Sequence, residues 1–182
     1  MFFLKKPSIS VNISRLIDIL SEHLYASNED AFRELVQNAV DAVRNKANPR
    51  VDITVTHEGI SGAIWNKPRV IISDYGEGMS KKEVEKYLLT IAESGKKDRD
   101  AIGRFGIGFM AAFKFTDSLL VVTKKRGAKP VYVFIKRNKK KGETSVQFLS
   151  EKGLEKLFRF RRFLPVRVSE GTAVLFTPKE MD

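Results

Sequence analysis

The feature that most constrains the fold is the segment of residues 28–46, whose apolar and polar residues separate onto opposite sides of a helix. At about 100° per residue, one side collects the apolar residues Phe32, Leu35, Val36, Ala39, Val40 and Val43. The other side collects Glu34, Asn38 and Asp41, at spacings of four and three. The apolar side must therefore pack against a second layer of the protein, and the polar side can bind a ligand.

The order of the remaining segments predicts an α+β fold with an antiparallel or mixed sheet, because helices come early and strands late. Ser27 or Asn28 caps the helix above, and Ser80 with Glu83 forms the capping-box pattern of a later helix. We expect helices over residues 12–26, 28–46, 80–92, 108–115 and 151–163, and strands over 51–58, 70–72, 118–124, 131–136, 144–149 and 172–177.

The bulk composition narrows the class of protein. The chain of 182 residues is 42% hydrophobic, so it can bury one core, and we expect a single domain over residues 1–182. It has no cysteine, which excludes disulfides and thiolate metal sites, and His23 and His57 lack the spacing of a histidine metal site. No apolar run approaches the roughly 20 residues that span a bilayer. We therefore expect a soluble, cytoplasmic protein without a membrane partner.

The net charge of +11 is concentrated in clusters at residues 124–126, 136–141 and 159–162. A surface of this kind attracts nucleic acid or an acidic protein. Charge runs are more often solvated loops and strand ends. We therefore regard nucleic acid as the less favoured partner.

Two segments rich in glycine follow the helix predicted over residues 28–46. Asp74 stands after a predicted buried strand and before Gly76 and Gly78, where a flat ligand can approach the backbone. Its carboxylate only accepts hydrogen bonds, which suits the exocyclic amino group of adenine, although Asp-x-Gly is also common in ordinary turns. The segment 103–109 spaces its glycines by three and two before a helix, so it can hold phosphates or serve as a packing site. It matches neither the Rossmann nor the P-loop pattern.

The polar side of the helix predicted over residues 28–46 suits magnesium and water chemistry. Asn38 can give an amide oxygen to Mg²⁺, which takes few protein ligands. Glu34, one turn away, can deprotonate a water that attacks a terminal phosphate. The alternative is an ordinary solvated face shared with Asp30 and Arg33.

Four motifs together resemble the nucleotide-binding motifs of the GHKL ATPases, and most closely the N-terminal ATP-binding domain of the heat shock protein 90 family. The motifs are Glu34-x-x-x-Asn38-x-x-Asp41-Ala42, Asp74-x-Gly76-x-Gly78-Met79, Gly103-x-x-Gly106-x-Gly108-Phe109 and Glu170-Gly171-Thr172. Residues 25–35 and 90–96 add to the likeness, which covers most of residues 12–124 and then thins until Gly171.

This resemblance implies a two-layer Bergerat fold with a mixed, mostly antiparallel sheet, helices on one face, and ATP with Mg²⁺ between helices and sheet. It makes Glu34 the catalytic base, Asn38 the metal ligand, and Asp74 the adenine anchor. The implied nucleotide-binding residues are Asn38, Asp41, Ala42, Asp74, Gly78, Met79, Gly103, Arg104, Phe105, Gly106, Ile107, Gly108, Phe109 and Thr172.

The chain also departs from the chaperone pattern in its lid region. Tyr87 and Glu93 replace an asparagine and a lysine, Arg104 replaces a glutamine, and the spacer from Ser94 to Gly103 is short. Three hypotheses follow: a slow, Mg²⁺-dependent chaperone-type ATPase, an ATP switch acting on nucleic acid like the mismatch-repair or microrchidia relatives, and a nucleotide-binding module without hydrolysis. The resemblance further implies a client or partner protein and an ATP-dependent dimer of a longer protein, or a stand-alone short relative.

Overall fold

The computed structural model describes residues 26–56, 68–89, 108–158 and 170–179, together with Ile19. Most of the predicted helix 12–26 lies outside these residues. No helix among the described residues is long and apolar enough to cross a membrane. The elements are α1 (Asn28–Val43), β1 (Val51–Thr56), β2 (Arg69–Asp74), α2 (Lys81–Glu83) with a π-helical turn (Val84–Leu88), a 3₁₀ helix (Gly108–Lys114), β3 (Ser118–Lys124), β4 (Val131–Asn138), β5 (Glu143–Leu149), α3 (Glu151–Phe158) and β6 (Gly171–Phe176).

The six strands form one sheet in the order β1-β2-β6-β3-β4-β5, and every pairing between them is antiparallel. The α+β class is confirmed, with a sheet that is antiparallel rather than mixed over the described strands. The register places Thr172, at the start of β6, between Asp74 on β2 and Thr123 on β3. Three strand ends that are distant in sequence therefore meet in one row.

Helix α1 begins where the sequence predicts. The Ser27 hydroxyl accepts a hydrogen bond from the Asp30 amide at 3.1 Å, which satisfies one of the free N–H groups of the first turn. The helix ends at Val43, three residues earlier than expected. The prediction that Val40 packs with the apolar side is wrong, because Val40 is 41% exposed. Ala39 lies near the middle of the apolar side, and Val40, turned about 100° from it, lies at the margin.

Apolar side chains cover both faces of the sheet. The first face, carrying Ile72, Val121 and Ile135, packs under α1 and the 3₁₀ helix. On the second face, Leu154 of α3 packs with residues such as Val122. The expectation of helices on one face is therefore wrong for α3. The reason is that β2, β3, β4 and β6 alternate apolar residues towards both sides, so each face needs a cover.

The later elements follow the predicted order with local differences. The Ser80–Glu83 capping box is present, but the helix it starts becomes π-helical over Val84–Leu88 and does not continue as α-helix. The remainder of the predicted helix 80–92 lies beyond the described Leu89. The segment predicted as helix over 108–115 is a 3₁₀ helix, and α3 covers the first part of the predicted helix 151–163.

Candidate functional site

Asp74 is a buried carboxylate at the end of β2, with only 6% of its surface exposed. Its Oδ1 accepts hydrogen bonds from the backbone amides of Gly76, at 2.9 Å, and Thr172, at 3.2 Å. Burial raises the pKa of Asp74 to about 6, although both amides and the charge of Lys46 oppose the rise. The Asp74 carboxylate is therefore ionised at neutral pH, and it becomes protonated in mildly acidic solution.

Within the described part of the chain, hydrogen bonds to Asp74 reach only one of its two carboxylate oxygens. Both amide donors go to Oδ1, and within the described residues no hydrogen bond to Oδ2 is present. This oxygen can accept a hydrogen bond from a ligand that brings a donor. An acceptor at this position would suit the exocyclic amino group of adenine, and the role of Asp74 as adenine anchor stays a prediction.

The glycines around Asp74 allow close contacts between backbone segments, while their predicted role in admitting a ligand stays a prediction. A Cβ at Gly76 would lie 2.6 Å from the Ala42 carbonyl oxygen, and one at Gly78, whose φ is +64°, would lie 2.1 Å from the Lys124 carbonyl oxygen. Protein backbone lies where a side chain at either glycine would be. These contacts draw the turn after β2 against α1 on one side and against β3 on the other.

Thr123, which the sequence analysis did not single out, links the parts of this site. It is fully buried, and its Oγ1 accepts a hydrogen bond from the Met79 amide at 2.8 Å. The same oxygen lies 2.9 Å from Thr172 Oγ1 and 3.3 Å from the Gly171 carbonyl oxygen. The sequence feature that could have identified Thr123 is a single hydroxyl residue directly after the apolar run 119–122.

The polar stripe of α1 leads away from Asp74. Its C-terminal end lies at the turn after β2, since the Ala42 carbonyl contacts Gly76. At a rise of about 1.5 Å per residue, Asn38 lies about 6 Å and Glu34 about 12 Å further along the axis. Both side chains are partly buried, and each already interacts within the protein. The stripe can therefore follow a long ligand whose one end is held at Asp74.

Asp41 is held within its own helix. Its Oδ1 accepts hydrogen bonds from Gln37 Nε2 at 3.0 Å and from a guanidinium nitrogen of Arg44 at 2.8 Å. The side chain is only 7% exposed. These bonds fix the carboxylate at the end of α1 that contacts the Asp74 turn, while its role in lining a pocket stays a prediction.

The predicted phosphate loop is only partly described. Gly103, Arg104, Phe105, Gly106 and Ile107 lie outside the described residues, as does Glu93 of the lid region. Gly108 begins the 3₁₀ helix, and Phe109 packs partly buried against the core beneath α1. The end of the loop is thus anchored under the helix that carries Glu34 and Asn38.

The 3₁₀ helix is fixed at its other end by two cations. The buried Arg137 and the Nζ of Lys179 each donate a hydrogen bond to the Phe113 carbonyl oxygen at 3.2 Å. Burial lowers the pKa of both side chains. Positive groups at a helix C-terminus satisfy its free carbonyls, so this contact holds the helix that follows the loop.

Ion pairs that no local pattern predicts surround the site. Glu170 pairs with Lys46, after α1, at 3.2 Å and with Arg126, after β3, at 3.1 Å. Glu83 pairs with Lys125 at 2.7 Å, and this bond together with those from Ser80 lowers the pKa of Glu83 to about 2. These pairs join α1, β3, α2 and the start of β6 around Asp74.

The sequence of this chain is similar to that of known proteins. Residues 25–163, more than half of the chain, match the family described as histidine kinase-, DNA gyrase B-, and HSP90-like ATPase. The chain belongs to this ATPase family. The matched range contains Glu34, Asn38, Asp74 and Thr123 and ends before Thr172.

Several relatives of this ATPase domain carry the name Chaperone protein HtpG. The HtpG of Helicobacter pylori is 32% identical over 170 residues, which cover 81% of this chain and 27% of the relative. That of Wolinella succinogenes is 31% identical over 160 residues, covering 74% and 25%. That of Bacillus licheniformis is 36% identical over 140 residues, covering 68% and 22%. The chain thus spans about a quarter of the length of these relatives.

Proposed function

We propose that this chain binds ATP and hydrolyses it slowly with Mg²⁺, as the nucleotide-binding domain of a chaperone-type protein. The observation that carries the proposal is Asp74, a buried carboxylate with one oxygen held by two backbone amides and the other without a hydrogen bond from any described residue. Asp74 accepts a hydrogen bond from the adenine amino group, and Met79 and Thr172 bound the base on either side. The family to which the chain belongs supports the same ligand.

The polar stripe of α1 then lies along the nucleotide towards its phosphates. Asn38 offers an amide oxygen as a metal ligand, and Mg²⁺, when bound, neutralises phosphate charge. Glu34, about one turn further on, orients a water and takes its proton. The segment 103–109 supplies backbone N–H groups for the phosphates, with its end anchored at Phe109.

Calorimetric titration of the chain with ADP and ATP, with and without Mg²⁺, tests the proposal. We expect saturable binding of both nucleotides, strengthened by Mg²⁺, and much weaker binding of GTP, which presents a carbonyl where adenine presents its amino group. Equal affinity for ADP and GTP would contradict the role of Asp74. The absence of any heat with ADP or ATP would reject nucleotide binding altogether.

Binding of the base should weaken in acid. The raised pKa of Asp74, about 6, means that the carboxylate is ionised above that value and protonated below it. If the ligand binds only the ionised form, affinity is constant above about pH 7 and falls about tenfold by pH 5. Adenosine is the probe, because it has no phosphate that titrates in this range. A flat adenosine affinity between pH 5 and 8 would contradict this prediction.

The wider role follows from the HtpG relatives and is part of the proposal. We propose that ATP binding here controls a client or partner protein, through an ATP-dependent dimer of a longer protein. Sedimentation of the protein with further domains attached, with ADP and with a non-hydrolysable ATP analogue, tests this. The analogue should shift the protein towards dimers, and identical sedimentation in both nucleotides would argue against the dimer.

Nucleic-acid binding is a second candidate, which the β4–β5 hairpin favours. Lys136, Lys139, Lys140 and Lys141 are exposed around this turn. The register puts Lys136 opposite Ser118, at the far end of β3 from Thr123, so this surface is separate from the nucleotide site. Binding to labelled duplex DNA should appear at low salt and weaken steeply as salt rises. No binding at low ionic strength would eliminate this candidate.

A further inference from the structure

The hydroxyl group of Thr123 is buried and yet makes the contacts that join three parts of the site. Its Oγ1 accepts from the Met79 amide at 2.8 Å, lies 2.9 Å from Thr172 Oγ1, and lies 3.3 Å from the Gly171 carbonyl oxygen. Thr172 in turn donates its amide to Asp74 at 3.2 Å. Thr123 is thus linked by hydrogen bonds to Met79 and to the side chain of Thr172, whose backbone amide is bonded to Asp74.

The single proton of the Thr123 hydroxyl has two acceptors, and the choice sets the chemistry of Thr172. When Thr123 donates to Thr172 Oγ1, the Thr172 proton is free to point elsewhere. When Thr123 donates to the Gly171 carbonyl, Thr172 donates to Thr123 and keeps only lone pairs for another partner. The direction of the Thr123 hydroxyl thus determines whether the proton of the Thr172 hydroxyl is available to another partner.

We infer that Thr123 is a positioning residue for the adenine end of the nucleotide, which it never touches. It holds the backbone of Met79 against β3 and fixes the hydroxyl and amide of Thr172 relative to Asp74. This inference rests on the proposed function, because it assigns Thr123 to the same site. Register alone would place Thr123 beside Thr172, but the hydroxyl adds the bond to Met79, which no backbone pairing supplies.

A matched control exists in Thr116, which is 1% exposed. Its single hydroxyl proton has two carbonyl acceptors within reach, those of Ser118, at 3.0 Å, and Thr177, at 2.8 Å. Like Thr123 it ties the β3 region to the β6 region, but at the opposite end of the strands. Thr116→Val and Thr123→Val therefore remove comparable buried hydroxyls, and only the second lies at the proposed site.

The test measures ADP and adenosine affinity together with the midpoint of thermal unfolding. We expect Thr123→Val to weaken ADP and adenosine by the same factor, about tenfold, because the lost bonds act on the base. Thr123→Ser should bind within about threefold of the wild type, since it keeps the hydroxyl. Thr116→Val should lower the unfolding midpoint without changing either affinity.

Several results would overturn the inference while leaving nucleotide binding intact. They are wild-type affinity in Thr123→Val, an equal loss in Thr123→Ser, or an equal loss in Thr116→Val. If Thr123→Val does not fold, Thr123→Cys takes its place, because its weakly accepting sulfur should give an intermediate loss. A wild-type chain that binds no ADP rejects the proposed function instead.

Hydrogen exchange at the Met79 amide gives a second measurement of the positioning role. Faster exchange at Met79 in Thr123→Ala than in Thr116→Ala would support that role, and equal exchange would oppose it.

Discussion

Replacing Asp74 by asparagine is expected to weaken ADP binding by about 100-fold or more, which corresponds to about 3 kcal/mol. The two backbone donors at Gly76 and Thr172 would hold the asparagine oxygen where Oδ1 now lies. The amide nitrogen would then face the ligand. In the proposed complex adenine would present its amino group there, so two donors would oppose each other. Isothermal calorimetry with ADP measures the effect.

The same substitution should leave the fold intact or make it more stable. Burial raises the pKa of the Asp74 carboxyl from 3.8 to about 6. At neutral pH, where the carboxyl is ionised, this shift lowers the free energy of unfolding by about 3 kcal/mol. That cost disappears as the pH falls from 6 to 4. The difference in unfolding free energy between wild type and Asp74→Asn should therefore be largest above pH 7 and vanish near pH 4.

Asp117 provides the control for Asp74, because it pairs with Lys179 at the other end of β3 and is half exposed. Asp117→Asn should bind ADP like the wild type. Undiminished ADP affinity in Asp74→Asn would remove Asp74 as the anchor of the base. A loss of binding accompanied by a lower unfolding temperature would attribute the effect to the fold rather than to the missing charge.

Replacing Glu34 by alanine or glutamine is expected to abolish ATP turnover while ADP and ATP still bind. Glu34 lies on the polar stripe of α1, about two turns from the Ala42 carbonyl that contacts the Asp74 turn. It is thus too far along the helix to hold the base, and close to where the phosphates would lie. Loss of a general base typically costs about 10²- to 10⁴-fold in rate.

Phosphate release under single-turnover conditions measures the Glu34 effect. Glu29→Gln is the control, because Glu29 lies in the exposed first turn of the same helix and should hydrolyse ATP at the wild-type rate. Wild-type turnover that Glu34→Ala abolishes would exclude a module that binds without hydrolysis. Unchanged turnover in Glu34→Ala would refute Glu34 as the base.

Local signals in the sequence were enough to place most secondary structure. The Ser27 cap and the Ser80–Glu83 box depend on contacts three residues apart, so they formed where predicted. β3 was predicted with its observed bounds. The π-helical turn after Glu83 and the position of α3 were missed, because each depends on which sheet face or neighbour the segment packs against and not on its own spacing.

Some residues of the candidate site could be selected from the sequence, and others could not. Glu34, Asn38 and Asp74 were selected from spacing, residue chemistry and the resemblance to a known family. Thr123 was overlooked because a single threonine at a strand end is ordinary in sequence. Gly76 and Gly78 were selected for a ligand, whereas the structure uses their missing side chains for backbone contacts.

The sequence by itself determined the helix with two different sides, the capping residues, the strand segments and the family of ATPases. Only the tertiary structure decided that Asp74, Thr172 and Thr123 stand in one row, and that Ala42 closes on Gly76. The bonds in that row join residues 98 and 49 positions apart in the chain. They exist because β6 inserts between β2 and β3, and strand order depends on how the whole sheet buries its two faces.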